Sequence, residues 1–128
     1  MNIPENLKYT NEHEWVLEDT DTMVVGITDY AQSELGDIVY IELPNTGDKF
    51  TRNDVFGSIE AVKAAADIYC PVSGEVVDVN SNLKDAPESI NKDPYGEGWI
   101  IKLRPENKDE LSELMDSAQY TEYISKEE

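Results

Sequence analysis

The 128-residue sequence contains one cysteine and one histidine. Cys70 has no partner for an intrachain disulfide, which agrees with a reducing compartment. With one cysteine and no histidine cluster, there is no ligand spacing for zinc and no Cys-His nucleophile pair, so His13 reads as structural. Cys70 stands in a β-like run beside Pro71 and reads as a small buried thiol. Basic residues are scarce: 10 Lys and Arg against 28 Asp and Glu give a formal net charge of −18. Nucleic acid and anionic membrane surfaces both need positive charge to replace counterions, so this balance argues against either as a partner. It suits docking on electropositive clefts of other proteins, or solubility alone, as in the tail Lys126-Glu127-Glu128. No apolar run approaches membrane-spanning length. The start, Met1-Asn2-Ile3-Pro4-Glu5-Asn6, has no apolar core and is not Arg-rich, so no signal or transit segment is visible and a cytoplasmic location is expected. Gly96 and Gly98 lack the following Lys-Ser/Thr of a phosphate loop and read as turn glycines.

The length fits one domain, 1–128, with little room for a separate catalytic unit. Short β-rich runs dominate. Glu14-Trp15-Val16-Leu17-Glu18 and Thr22-Met23-Val24-Val25-Gly26-Ile27 flank a polar turn and predict a hairpin. Thr28 or Asp29 caps a short helix through Leu35, which Gly36 stops. Ile38–Leu43, Glu75–Asn80 and Trp99–Leu103 predict further strands. After Pro105 the period changes. Asn107 and Glu110 resemble a capping box, and Leu111, Leu114, Met115 and Ala118 fall at helical spacing, predicting one helical segment over about 106–125 packed on the sheet. The fold class is mainly β with helical additions, a sandwich or flattened barrel.

Two β-like runs, Asp54–Val62 and Asp67–Val72, face each other across Lys63-Ala64-Ala65-Ala66. This puts a lone cation at a hairpin tip among small apolar neighbours that cannot neutralise it. Such a lysine is an ordinary turn residue or an attachment point: its amine can form an amide, and an acyl group there would swing on a four-carbon stem. The frame around it, with Glu60 three residues before and Gly74 eleven after, resembles a lipoyl-type attachment hairpin (about 54–80). His13-Glu14-Trp15-Val16, Gly26–Gln32, Leu35–Val39, Glu42-Leu43-Pro44, Gly74–Asn80 and Ile90–Trp99 extend the likeness. From Leu7 to Tyr123 the chain resembles the glycine cleavage H-protein family.

The resemblance implies a pseudo-symmetric barrel-sandwich hybrid of the lipoyl/biotinyl-carrier type, with lipoate joined covalently to Lys63. It implies a shuttle that takes an aminomethyl group from a pyridoxal-phosphate-dependent glycine decarboxylase to a tetrahydrofolate-dependent aminomethyltransferase. Dihydrolipoyl dehydrogenase would reoxidise the arm, and a lipoate-attaching enzyme would load it; the protein itself would catalyse nothing. Recognition by that enzyme is expected to involve Glu60 and Gly74, the latter through a backbone conformation that a side chain disfavours. The cargo amine is cationic near neutral pH and its adduct is prone to hydrolysis, so a dry cleft with a carboxylate would hold it. Glu14 and Asp67 are expected to line that cleft, with Glu12 and Glu34 as weaker candidates. A biotinyl carrier is disfavoured by Val62 and Ala64, where such carriers place Met on both sides of the lysine. A lipoyl-relay or regulatory carrier outside glycine catabolism is the other alternative. Ala61, where such carriers often have Ser, and Ala66 depart from the family pattern near the lysine.

Overall fold

The computed structural model describes residues 1–127; Glu128, the end of the acidic tail, lies outside the described residues. Two antiparallel sheets face each other across a shared core. The first contains β1 (Lys8–Tyr9), β2 (Glu14–Asp19), β3 (Thr22–Ile27), β5 (Lys49–Phe50), β8 (Gly74–Val79) and β9 (Ile101–Pro105), in the order β1-β2-β3-β9-β8-β5. The second contains β4 (Ile38–Glu42), β6 (Val55–Ala61) and β7 (Ala65–Tyr69), in the order β4-β6-β7. Val16, Val25, Val76, Ile101 and Leu103 from the first sheet meet Ile41, Ile59 and Ile68 from the second, and all are buried. Each such side chain contributes about 1.5–3 kcal/mol on leaving water. This two-sheet arrangement with a C-terminal helix agrees with the expected barrel-sandwich architecture.

Local chemistry explains most of the elements. β2 and β3 pair in register from Glu14 opposite Ile27 to Asp19 opposite Thr22, leaving Thr20-Asp21 as a two-residue turn. Thr20 takes the positive φ, 51°, that such turns favour. Helix α1 (Asp29–Leu35) is capped by Thr28, whose hydroxyl accepts from the Ala31 N–H at 3.2 Å, and it ends at Gly36 with φ 79°. Asn91 holds the turn after α1 from a one-turn helix, α2 (Ser89–Lys92), accepting from Ile38 N and donating to Gly36 O. No helix among the described residues is long and apolar enough to cross a membrane.

Five expectations need correction. The hairpin turn is shorter than Lys63–Ala66: Ala65 and Ala66 belong to β7, opposite Glu60 and Ile59, and only Val62-Lys63-Ala64 turn, closed by Ala61 N donating to Ala64 O at 2.8 Å. Cys70 and Pro71 lie beyond β7, which ends at Tyr69; Cys70 still exchanges backbone hydrogen bonds with Asp54 and Asn53, whereas Pro71 has no N–H to continue the ladder. The last strand begins at Ile101 rather than Trp99, since the Trp99 carbonyl is taken by the Asn80 side-chain amide.

The C-terminal segment is not one helix. Residues Lys108–Glu113 form a 3-10 turn, Leu114 is extended, Met115 exchanges two 2.8 Å backbone hydrogen bonds with Tyr9, and α3 then spans Ser117–Glu127. The expected capping box fails because Glu110 accepts from Ser73 N instead, while Asn107 caps Asp109 N. Ala118 is exposed; Tyr120 and Ile124 carry the buried face of α3. Tyr120 stacks on Tyr9 with ring centroids 4.6 Å apart.

Trp15 fixes the entrance of β2. Its indole N–H donates to Pro94 O at 3.0 Å, and its ring lies over Gly26, its partner across the hairpin; a Cβ there would come within 2.7 Å of the indole. Gly26→Ala is therefore expected to destabilise by about 1–3 kcal/mol through overpacking. Urea unfolding measures this, and a midpoint equal to wild type would contradict the packing account.

Candidate functional site

Lys63 stands exposed at the tip of the β6–β7 turn. Among the described residues the ion pairs are Arg52–Glu113 and Lys126–Glu122, so no carboxylate holds the Lys63 ammonium there. The tip is fastened through its backbone, with Val62 N donating to Asp37 O at 2.9 Å. The lysine stem lies across Gly36 at the end of α1.

Beside the tip lies a cleft of about 460 Å³. The N-terminal segment contributes Glu12, His13 and Glu14, α1 contributes Tyr30, Ala31, Glu34 and Leu35, and β7 contributes Ala66 to Tyr69, with Ile27 and Ile59 completing the wall. All four carboxylates singled out in the sequence, Glu12, Glu14, Glu34 and Asp67, thus border one cavity. Their settings differ. Asp67 is exposed, whereas Glu14 is 1 % exposed. The Glu14 carboxyl accepts from the Thr10 hydroxyl on one oxygen and from Tyr69 N, at 3.2 Å, on the other. Burial pushes it up from 4.5 to about 7; the Thr10 and Tyr69 donors pull the other way, and the charge of Glu12 adds a smaller upward push. A carboxyl that is half ionised near neutrality, inside a cavity, can meet a cation by giving up its proton.

Glu60 and Gly74 are not part of this cleft. Glu60 is exposed on β6, opposite Ala65, close to the tip. Gly74 begins β8 in the other sheet, and its φ is not in the left-handed region, contrary to expectation. It is constrained by close approach instead: a Cβ there would lie 2.6 Å from Arg104 O. Cys70 is fully buried, its thiol faces Val72 O at 3.1 Å, and burial pushes it up to about 12, which suits the inert role expected of it.

Sequence reasoning missed three contributors. Thr10 orients Glu14 at both ends, accepting from its N–H at 3.0 Å while donating to its carboxyl; a threonine four residues before the glutamate was the available signal. His13 adopts φ 71°, lines the cleft, and has Nδ1 2.9 Å from the Tyr120 hydroxyl, which lies 2.7 Å from the hydroxyl of Thr28. That network ties the cleft wall to α1 and α3. Gly36 was read only as a helix stop. Among the described residues no group of three or more His, Cys, Asp or Glu is arranged to hold a metal ion.

Comparison with known proteins bears on this geometry. Residues 7–127 match the family described as glycine cleavage H-protein. The chain is 49 % identical over 128 residues to the glycine cleavage system H protein of Halothermothrix orenii, covering 100 % of both, and 53 % identical over 126 residues to that of Chlorobium limicola, covering 97 % of this chain and 98 % of the relative. The crystal structure of a glycine cleavage system H protein from Mycobacterium marinum superposes with a TM-score of 0.86 at 33 % identity, covering 98 % of each chain.

Because the native Glu14 binds its proton more tightly than the unfolded chain does, its contribution to stability is fully present below about pH 4.5 and is lost as pH rises through about 7. Glu14→Gln keeps the shape without the titration. Relative to wild type it should gain stability between pH 5 and 8, on the order of 3 kcal/mol at most. Parallel denaturation curves at the two pH values test this, and an unchanged difference between the proteins would contradict the buried-carboxyl reading.

Proposed function

The chain belongs to the glycine cleavage H-protein family, and from that premise we propose that it is a lipoyl carrier with lipoate joined by an amide to Lys63. It takes the aminomethyl group of glycine from a pyridoxal-phosphate-dependent glycine decarboxylase and presents it to a tetrahydrofolate-dependent aminomethyltransferase. Dihydrolipoyl dehydrogenase then reoxidises it, and a lipoate-attaching enzyme loads it in the first place. The observation that carries this reading is the pairing of an exposed lysine on a three-residue turn with a neighbouring cleft that contains one buried carboxyl.

The residues present fit the group. The Lys63 amine is exposed and has no ion pair among the described residues, and the Cβ-free surface of Gly36 accommodates its stem. When bound, lipoate supplies the thiol that carries the cargo. Everything else falls to this chain's side chains. Ile27, Leu35, Ile59 and Ile68 keep water from the cleft wall. Each Glu14 oxygen has one lone pair taken, by Thr10 or by Tyr69 N, and one left over, so the carboxylate can accept from a cationic amine without breaking the bonds that orient it. Asp67, Glu12 and Glu34 add negative potential at the mouth.

The lipoate-attaching enzyme must choose Lys63 over Lys49, Lys84 and Lys92, so it reads the tip as a shape, with Glu60 beside it and Gly74 holding β8 close to β9. Glu60→Ala or Gly74→Val should slow lipoylation; unchanged rates in both would remove them from recognition. Co-expression with a lipoate ligase and lipoate should add one lipoyl mass to wild type and none to Lys63→Arg, whose stability should stay within about ±0.5 kcal/mol of wild type. Lipoylation that persists in Lys63→Arg, or biotin on the native protein, would defeat the assignment.

Cargo lost to water appears as one formaldehyde and one ammonia, with the thiol regenerated. Charge-assisted hydrogen bonds are worth about 1.5–3 kcal/mol, so Glu14→Ala should be lipoylated normally yet lose cargo roughly tenfold to a hundredfold faster. The wild-type advantage should grow as pH rises through the midpoint of Glu14 in the loaded protein, which the cargo ammonium holds below the value of about 7 in the unmodified protein. Equal release from both proteins at pH 8 would show that Glu14 does not hold the cargo.

A further inference from the structure

Gly36 is fastened on both sides. Its N–H donates to Gln32 O at 3.0 Å, and its carbonyl accepts from Asn91 Nδ2 at 2.9 Å. The next residue, Asp37, accepts from Val62 N at 2.9 Å, and Val62 immediately precedes Lys63. One turn of chain therefore joins the end of α1 to the hairpin tip. A Cβ built on Gly36 would lie 2.7 Å from Lys63 Cε, 3.3 Å from Cγ and 3.4 Å from Cδ, so three methylenes of the stem pass over the glycine. Ala31, Glu34 and Leu35, in the last two turns of the helix that Gly36 ends, wall the cleft.

The backbone alone accounts for a glycine at this position: φ 79° with ψ −158° is a region that side chains almost never adopt. It does not account for the lysine lying across it. Gly47 makes the comparison, because its φ of 97° also disfavours a side chain, yet nothing lies within 4 Å of its missing Cβ.

We propose that Gly36 is a positioning residue for the lysine arm: its bare surface seats the Lys63 stem across the end of α1, so that a group attached at Nζ departs along the cleft wall instead of swinging in open solvent. This rests on Lys63 being the attachment site. The seat acts before any cargo is present, and it converts part of the arm's search for the cleft into a fixed departure direction, lowering the entropy that capture must overcome.

The test compares Gly36→Ala with Gly47→Ala, which also places a side chain at a positive φ but does not touch the lysine. In unmodified wild-type protein with 13C-labelled lysine, nuclear Overhauser cross-peaks are expected between Lys63 Hε and the Gly36 Hα protons; they should persist in Gly47→Ala and vanish in Gly36→Ala. Both variants should gain one lipoyl mass. After loading, Gly36→Ala should release formaldehyde about tenfold faster than wild type, and Gly47→Ala should match wild type. Absence of the cross-peaks in wild type overturns the proposal, as does wild-type release from a folded, lipoylated Gly36→Ala. If Gly36→Ala does not fold, the wild-type cross-peaks alone decide. A wild-type protein that takes no lipoyl mass would refute the attachment site instead, an outcome that the cross-peaks do not depend on.

Discussion

One buried carboxyl links the two sheets of this molecule across the wall of the cleft. Glu14 belongs to β2 in the six-stranded sheet, and the Tyr69 N–H that it accepts belongs to β7 in the three-stranded sheet, the strand that returns from Lys63. The hydroxyl of Thr10 completes the arrangement, and no buried side-chain polar atom among the described residues is left without a partner. An apolar side chain at this position would join the sheets at lower cost, because a carboxyl loses its hydration on burial and regains only part of it from two donors. The raised proton affinity of Glu14 is the visible sign of that cost.

The rest of the site is arranged around it by backbone connections. Thr28 caps α1 and meets the Tyr120 hydroxyl, which in turn meets His13, so the helix that forms one wall, the loop that forms another and the C-terminal helix share one hydrogen-bond network. At the other end of α1, the Gly36-Asp37 turn grips the hairpin tip through Val62 N. The displayed lysine and the cleft wall at His13 are therefore both tied to the same short helix. That economy suits a carrier, which has no catalytic machinery and must bring one attachment point and one receptive pocket to a fixed separation.

The local features of this arrangement were legible in the sequence, and the long-range ones were not. The β2–β3 hairpin, the Thr28 cap and the Gly36 stop each depend on residues within one turn of each other, and they stand close to where the pattern put them. The C-terminal segment failed as a single helix because its two decisive partners are remote: Ser73 draws Glu110 away from the cap, and Tyr9 pairs with Met115 in an extended bridge. Gly74 was rightly suspected of intolerance to a side chain, but for a reason that only the neighbouring strand supplies. Glu14 stood out among 28 acidic residues only through family likeness, since nothing in its sequence neighbourhood announces burial. The passage of the Lys63 stem over Gly36 is a contact between two turns, and no periodicity encodes it.

The proposed coupling between the buried carboxyl and the cargo has a direct reporter in the proton on Glu14. Carbonyl-carbon NMR of 13C-labelled Glu14 can follow its titration in the unmodified protein and again in the lipoylated, aminomethyl-loaded protein. The unmodified protein should titrate near 7, and the loaded protein at clearly lower pH, because an adjacent ammonium favours the carboxylate. The same midpoint in both forms, or an ordinary value near 4.5 in the unmodified protein, would contradict it.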